Sequence, residues 1–258
     1  MQKKELIDYL NNYLKINDFI DKSKNWLQVD NTKKEIIKIW YSVDASTYIF
    51  DKAVEEKIDM IICHHWMFWW YESVLTWVNY ERAKKLIKNN IALYWVHLPL
   101  DAHDEVGNNI WLLKWFINIF WLKEEDTIIE KFWKYDNKEI WYSIKFQNKI
   151  HISSLQTLYS DTLQLKKTLY NFWNKDFINS IAFVSWWAGD IIKEANEKEF
   201  DIYITWEAMH HEIVNAKEIG QSIMLWWHYE TEKIWPKLLA YHLKEKFWVE
   251  IIYLDEKY

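Results

Sequence analysis

Short apolar runs alternate with helix-patterned stretches along most of the chain, and this alternation narrows the fold more than any other feature. Ile36 to Val43 is predicted as a strand, Thr47 to Lys57 as a helix and Asp59 to Cys63 as the next strand, which is a βαβ rhythm. Lys4 to Tyr13 before it carries Leu6, Ile7 and Leu10 at helical spacing. After it come a helix over Val78 to Asn89, a strand over Ile91 to Val96 and an apolar helix over Glu105 to Phe120. A charged hinge candidate at Lys123-Glu124-Glu125-Asp126 precedes a second series. Its expected strands are Ile140 to Phe146, Ser180 to Ser185, Asp201 to Thr205, Ser222 to Leu225 and Val249 to Leu254. Its expected helices are Ser154 to Tyr170, Asp190 to Lys198, Glu207 to Ile219 and Thr231 to Phe247. The class is α/β, with the middle of the chain forming a second lobe.

Composition bounds the function. A chain of 258 residues can bury a substantial core. Its net charge of -6 leaves no broad basic footprint, so neither nucleic acid nor an anionic membrane is an expected partner. One cysteine, Cys63, allows no disulfide within the chain and fits a cytoplasmic protein. The first residues lack the apolar core of a signal peptide, and Ile110 to Leu122 is too short and too polar to cross a bilayer.

The chain holds 20 Trp against 3 Gly, whereas ordinary usage is about 7% Gly. Trp186-Trp187-Ala188-Gly189-Asp190 and Trp226-Trp227-His228 each stand where an apolar strand is expected to turn into a helix, and Trp66 and Trp206 are placed in similar turns. Such turns favour a residue without Cβ. The pattern is that of a gene using UGA for glycine but translated with UGA as tryptophan; the alternative is a chain truly rich in indole.

Ligand chemistry gathers at the expected strand ends. Ile61-Ile62-Cys63 leads into His64-His65, at the carboxyl edge where open α/β sheets place their ligands. Adjacent residues there point to opposite sides, so the two imidazoles suit two neighbouring ions better than one. Without a ligand they would be ordinary surface or core histidines. The next strand end supplies His97, Asp101 and His103, another supplies Thr205, Glu207, His210 and His211, and a third supplies His228 and Glu232. The last two are four apart at a helix start and share a face. This nitrogen and oxygen set suits Zn, Mn or Fe rather than Mg or Ca. His103 and His210 suit solvated loops, Glu230 a helix N-terminus, and Asp44 and Asp190 strand-end or capping positions. Cys63 suits packing, and Phe68 and Trp69 a pocket wall.

These motifs resemble the Nif-three-like dinuclear-metal proteins, also called GTP cyclohydrolase I type 2 homologues, over nearly the whole chain. Asn25-Trp26-Leu27-Gln28-Val29 is similar to that family's Asn-Gly-Leu-Gln-Val, and His64-His65-Trp66-Met67-Phe68-Trp69 to its His-His-Gly-x-Phe-Trp. His97-Leu98-Pro99-Leu100-Asp101-Ala102-His103 with Gly107-Asn108-Asn109 is the most specific match. Thr205-Trp206-Glu207 and Trp227-His228-Tyr229-Glu230-Thr231-Glu232 match Thr-Gly-Glu and Gly-His-x-x-Thr-Glu. Nearly every departure is Trp for Gly.

The resemblance implies two similar, interleaved α/β lobes, residues 1–125 with 226–258 forming the metal-site lobe and 126–225 the second. It implies two divalent ions per subunit: His65 and Asp101 hold one, His64 and His228 the other, and Glu232 bridges both. His97 and His211 become candidates for proton transfer or orientation. A homohexamer acting on a small molecule, GTP or another nucleotide, is the implied enzyme, a hydrolase that opens a purine ring. The alternatives are a metal-dependent phosphohydrolase and a metal-binding hexameric assembly or regulatory partner without turnover. No P-loop is present, and Lys84, Lys85 and Lys88 suit a solvated helix face. Literal tryptophans at 26, 66, 206 and 227 would crowd the cleft.

Overall fold

The apolar runs of the first half become strands that lie side by side because both faces of their sheet are covered. They are Trp26–Val29 (β1), Lys38–Ser42 (β2), Met60–Cys63 (β3) and Ala92–Trp95 (β4), joined by Glu250–Tyr253 (β13) from the end of the chain. The structure is a computed structural model that describes residues 1–20, 24–65, 67, 74–135, 138–155, 167–226, 228–233, 235–253 and 256. The sheet order is β1-β4-β3-β2-β13; β4, β3, β2 and β13 are parallel, and β1 is antiparallel on the edge. β3 and β4 are buried at every position, as expected for parallel strands covered on both sides. Lys3–Tyr13 (α1) buries Leu6, Ile7 and Leu10, the residues at helical spacing. Thr47–Glu55 (α2) is the first crossover; its N-cap Ser46 accepts a hydrogen bond from the Ile49 amide (3.1 Å). Trp40, Phe50, Ile61 and Leu93 lie in the core of this unit, which comprises Met1–Leu100 and Lys233–Tyr258.

The second unit, Asp101–Glu232, is built on a six-stranded sheet. Its strands are Thr127–Lys131 (β5), Tyr142–His151 (β8), Lys167–Tyr170 (β9), Phe177–Trp187 (β10), Ile202–Glu207 (β11) and Ile223–Trp226 (β12), in the order β5-β8-β10-β11-β12-β9. Two short strands, Lys134–Tyr135 (β6) and Lys138–Glu139 (β7), pair only with each other. β10, β11 and β12 are parallel to one another. Phe116, Ile144, Phe183, Ile202 and Trp226 lie in the core of this unit.

Each unit repeats one construction, visible in how its first two parallel strands are fastened. Asp59, just before β3, accepts hydrogen bonds from the amides of Ile37 and Lys38 (2.8 Å each) and pairs with Lys33. Asp201, just before β11, accepts from the amides of Asn179 (2.8 Å) and Ser180 (3.1 Å) and pairs with Lys175 (2.5 Å). The separations of 22, 21 and 26 residues are the same in both units. Strand register agrees as well: Ser42 faces Cys63, and Val184 faces Thr205. Burial works against the Asp59 carboxylate, but the Lys33 ammonium and the two amides outweigh it, and its carboxyl lies below the usual range.

Several expected elements are corrected. The helix over Ser154 to Tyr170 is not continuous: Ile152 to Leu155 are helical, residues 156–166 lie outside the described residues, and Lys167–Tyr170 is an antiparallel edge strand on β12. The helix over Thr231 to Phe247 is two helices, His228–Glu232 and Trp235–Phe247. Trp206 is not in a turn but buried in β11, and Trp186 and Trp187 lie in β10. Edge strands β1 and β5 are not among the strands expected from sequence; both are short and mostly exposed or half-buried. Among the described residues no helix is long and apolar enough to cross a membrane.

Candidate metal centre

The carboxyl ends of β2, β3 and β4 lie at one edge of the first sheet, because parallel strands in register end together. The residues that follow them are Asp44, His64-His65 and His97. The amides of His64 and His65 both donate to the Val43 carbonyl (3.1 and 2.8 Å), which ties the exit of β3 to the exit of β2. His64 is further held by the Trp95 indole N–H, which donates to its carbonyl.

Each adjacent histidine has its Nδ1 against an acceptor. His64 Nδ1 lies 3.0 Å from the Val96 carbonyl, and His65 Nδ1 lies 2.7 Å from Asp44 Oδ1. A carbonyl and a carboxylate only accept, so in the neutral ring the proton sits on Nδ1 and the lone pair on Nε2. That is the tautomer a metal ligand needs. The His64 and His97 rings are 4.8 Å apart, and the His97 amide donates to Asn25 Oδ1 (2.6 Å), which gives the Asn25 motif a role in holding this strand end. All three histidines are buried.

Asp101 closes the short helix Leu98–Asp101 that begins directly after His97. Its carbonyl accepts from Asn109 Nδ2 (3.1 Å). Asn109 also donates to the Ile140 carbonyl (2.9 Å) and accepts from the Ser185 amide (3.2 Å), so the second asparagine of the Gly107-Asn108-Asn109 motif is a fully buried strut.

In the second unit β12 leads through Trp227, outside the described residues, into the helix His228–Glu232. One helical turn brings His228 Nε2 to 3.0 Å from Glu232 Oε1, as their spacing predicts. Thr231 Oγ1 donates to the His228 carbonyl (2.8 Å), and His228 Nδ1 is 3.5 Å from Glu207 Oε1. The Trp206 ring lies 4.8 Å from the His228 ring. Glu232 is completely buried.

Among the described residues two groups of buried side chains could hold a metal ion: His64, His65 and Glu232, and His64, His97 and Asp101. The donor set fits a divalent transition ion, since each group combines imidazole nitrogens with a carboxylate. Neither group includes His228 or His211, Asp101 groups with His97 rather than with His65, and His211 is exposed in the first turn of His210–Ile219. His210 is exposed as well. Burial pushes the Cys63 thiol up, and the residue is packed in the core. Trp66, Phe68 and Trp69 lie outside the described residues. Asp44 is the residue that sequence reasoning passed over; its signal was its place at the end of β2, one strand away from the histidines.

The whole chain has relatives. A curated protein of Pyrococcus horikoshii named "GTP cyclohydrolase 1 type 2 homolog" is 34% identical over 255 residues, covering 99% of this chain and 98% of its own length. One of the same name from Pyrococcus abyssi is 32% identical with the same coverage. The solved structure of protein ybgI, described as of unknown function, matches with a TM-score of 0.87 at 26% identity, covering 100% of this chain and 99% of that one. TTHA1606 from Thermus thermophilus matches with a TM-score of 0.82 at 30% identity and the same coverage. The family model Duf34/NIF3 (NGG1p interacting factor 3) matches residues 1–257, and this chain belongs to that family.

Proposed function

We propose that this chain is a divalent-metal-dependent hydrolase with a dinuclear site, acting on a purine nucleotide such as GTP by hydrolytic opening of the imidazole ring with release of formate. The observation that carries the metal part is the pair of adjacent buried histidines whose Nδ1 atoms both face acceptors, within groups that include Asp101 and Glu232. The purine substrate follows the name of the Pyrococcus relatives, GTP cyclohydrolase 1 type 2 homolog. His65 and Asp101 would hold one ion, His64 and His228 the other, with Glu232 bridging, and Zn, Mn or Fe suits these donors. Two such ions would supply Lewis acidity and a water acidic enough to act as nucleophile near neutral pH.

The protein's own residues do the rest. The Val96 carbonyl and Asp44 fix the ring orientation of His64 and His65. In this reading His97, whose amide is held by Asn25, and His211 are the candidates for moving a proton through an imidazole nitrogen. The assembly is a homohexamer in this reading, as the family resemblance implies.

The same reading assigns glycine to a subset of the tryptophans. Trp77, Trp121 and Trp248 have φ of 46°, 52° and 56° and are 89%, 89% and 92% exposed. Left-handed backbone with nothing packed on the side chain is where glycine is favoured. Trp121 follows the end of Asn108–Ile119, where its amide donates to the Asn118 carbonyl and that of Leu122 to the Ile117 carbonyl. Gly220, at φ 77°, ends His210–Ile219 with the same pair of bonds.

The test uses the chain as it stands and a form carrying glycine at positions 26, 66, 206 and 227, each shown to be folded by circular dichroism, analysed for metal and incubated with GTP. Formate release that is lost on chelation, restored by added metal and absent in Glu232→Gln supports the hydrolase. A protein holding two ions that turns over no nucleotide refutes it and favours the non-catalytic metal-binding assembly.

A further inference from the structure

Asp44 lies one residue beyond the tie between β2 and β3, where the Val43 carbonyl accepts from both the His64 and His65 amides. That tie fixes the two chain segments against each other before any side chain is considered. The Ser42 hydroxyl donates to the Asp44 carbonyl (2.8 Å), closing the turn that aims the Asp44 side chain. Its Oδ1 then meets His65 Nδ1 at 2.7 Å, with the His65 side chain 9% and the Asp44 side chain 23% exposed. A contact of this length to a carboxylate is a charge-assisted hydrogen bond.

The repeated construction provides an internal control. Two residues beyond the register-matched Ser42 and Cys63 stand Asp44 and His65; beyond Val184 and Thr205 the register shifts by one and Glu207 pairs with Trp187, so neither Trp186 nor Trp187 supplies a carboxylate there. The unit with the histidine has the aspartate, and the unit without it does not. By contrast, Asp59 and Asp201, which fasten the strands, are present in both. Asp44 therefore follows His65 rather than the fold.

We propose that Asp44 is a positioning residue for the metal centre: it holds the His65 ring by Nδ1 so that Nε2 is the nitrogen presented to an ion. This rests on the metal reading given above. Orienting carboxylates of this kind change metal affinity by roughly 10- to 100-fold when removed.

The test compares the whole chain with Asp44→Ala and Asp44→Asn by long-range nitrogen–proton NMR of the imidazoles without metal, and by zinc titration against a competing chelator. Wild-type protein should show His65 protonated at Nδ1. Asp44→Ala should lose that tautomer and bind zinc roughly 10-fold or more weakly. Asp44→Asn, which still offers an acceptor oxygen, should keep the tautomer and regain most of the affinity. Zinc bound equally well by Asp44→Ala, with the His65 tautomer unchanged, overturns the assignment alone. Wild-type protein that takes up no zinc overturns the metal reading, and the assignment with it. A variant that fails to fold is replaced by Asp44→Asn, whose loss of the Nδ1 tautomer in a folded protein would also overturn the assignment.

Discussion

Removing the Asp59 carboxylate tests whether the two units are fastened in the same way and how strongly. Asp59→Ala takes the acceptor from the amides of Ile37 and Lys38, both at 2.8 Å, at the start of β2. Each charge-assisted bond of this kind contributes about 1.5 kcal/mol, the lower end of the range for a charged acceptor. The pair with Lys33, whose side chain is 37% exposed, adds only about 0.5 kcal/mol after solvent screening. The expected loss is about 3.5 kcal/mol, a roughly 400-fold rise in local opening. Native-state amide exchange over Lys38–Ser42 reads it directly. Asp201→Ala should raise exchange over Phe177–Trp187 by a similar factor, since Asn179 and Ser180 lose the same acceptor. Exchange in β2 that rises less than about fivefold in Asp59→Ala would refute the reasoning. So would Asp59→Ala opening β10 as much as β2.

Two further outcomes are expected. The Asp59 carboxyl lies below the usual range when folded, so its stabilisation is complete above the ordinary carboxylate value of about 3.9 and fades as pH falls through the lowered folded value. Asp59→Asn should therefore flatten the acid limb of a stability profile followed by circular dichroism, and an unchanged limb would count against the assignment. Trp121→Gly and Trp248→Gly relieve left-handed backbone worth roughly 1–2 kcal/mol to an L-residue, against an entropic cost of roughly 0.5–1 kcal/mol for glycine. Each should raise the urea midpoint slightly, whereas Trp226→Gly, at a fully buried position, should lower stability by about 3–5 kcal/mol. A drop in all three would refute the distinction between turn and core tryptophans.

The sequence made the parallel cores legible because β3 and β4 are apolar at almost every position and end in polar turns. It hid the edges. Trp26–Val29 is exposed at its start and buried only at Val29, and it owes its strand form to pairing with β4 rather than to its own pattern. Lys167–Tyr170 continues a helical-looking stretch, yet pairing with β12 overrides that propensity. No glycine or proline separates His228–Glu232 from Trp235–Phe247 before Pro236, so their division was invisible. At the candidate site the histidines and the one-turn spacing of His228 and Glu232 were readable. Asp44 was not, because an aspartate after a strand is ordinarily a turn or cap residue; only the shared Val43 carbonyl shows which ring it serves.

One scaffold is built twice in this polypeptide. The lysine–aspartate fastening is present in both copies. The residues that follow the strands are not shared: one copy has paired imidazoles while the other has Trp206 and Glu207 at those positions. Redundant architecture thus lets the side chains at the strand ends differ between halves while the strand fastening stays the same in both.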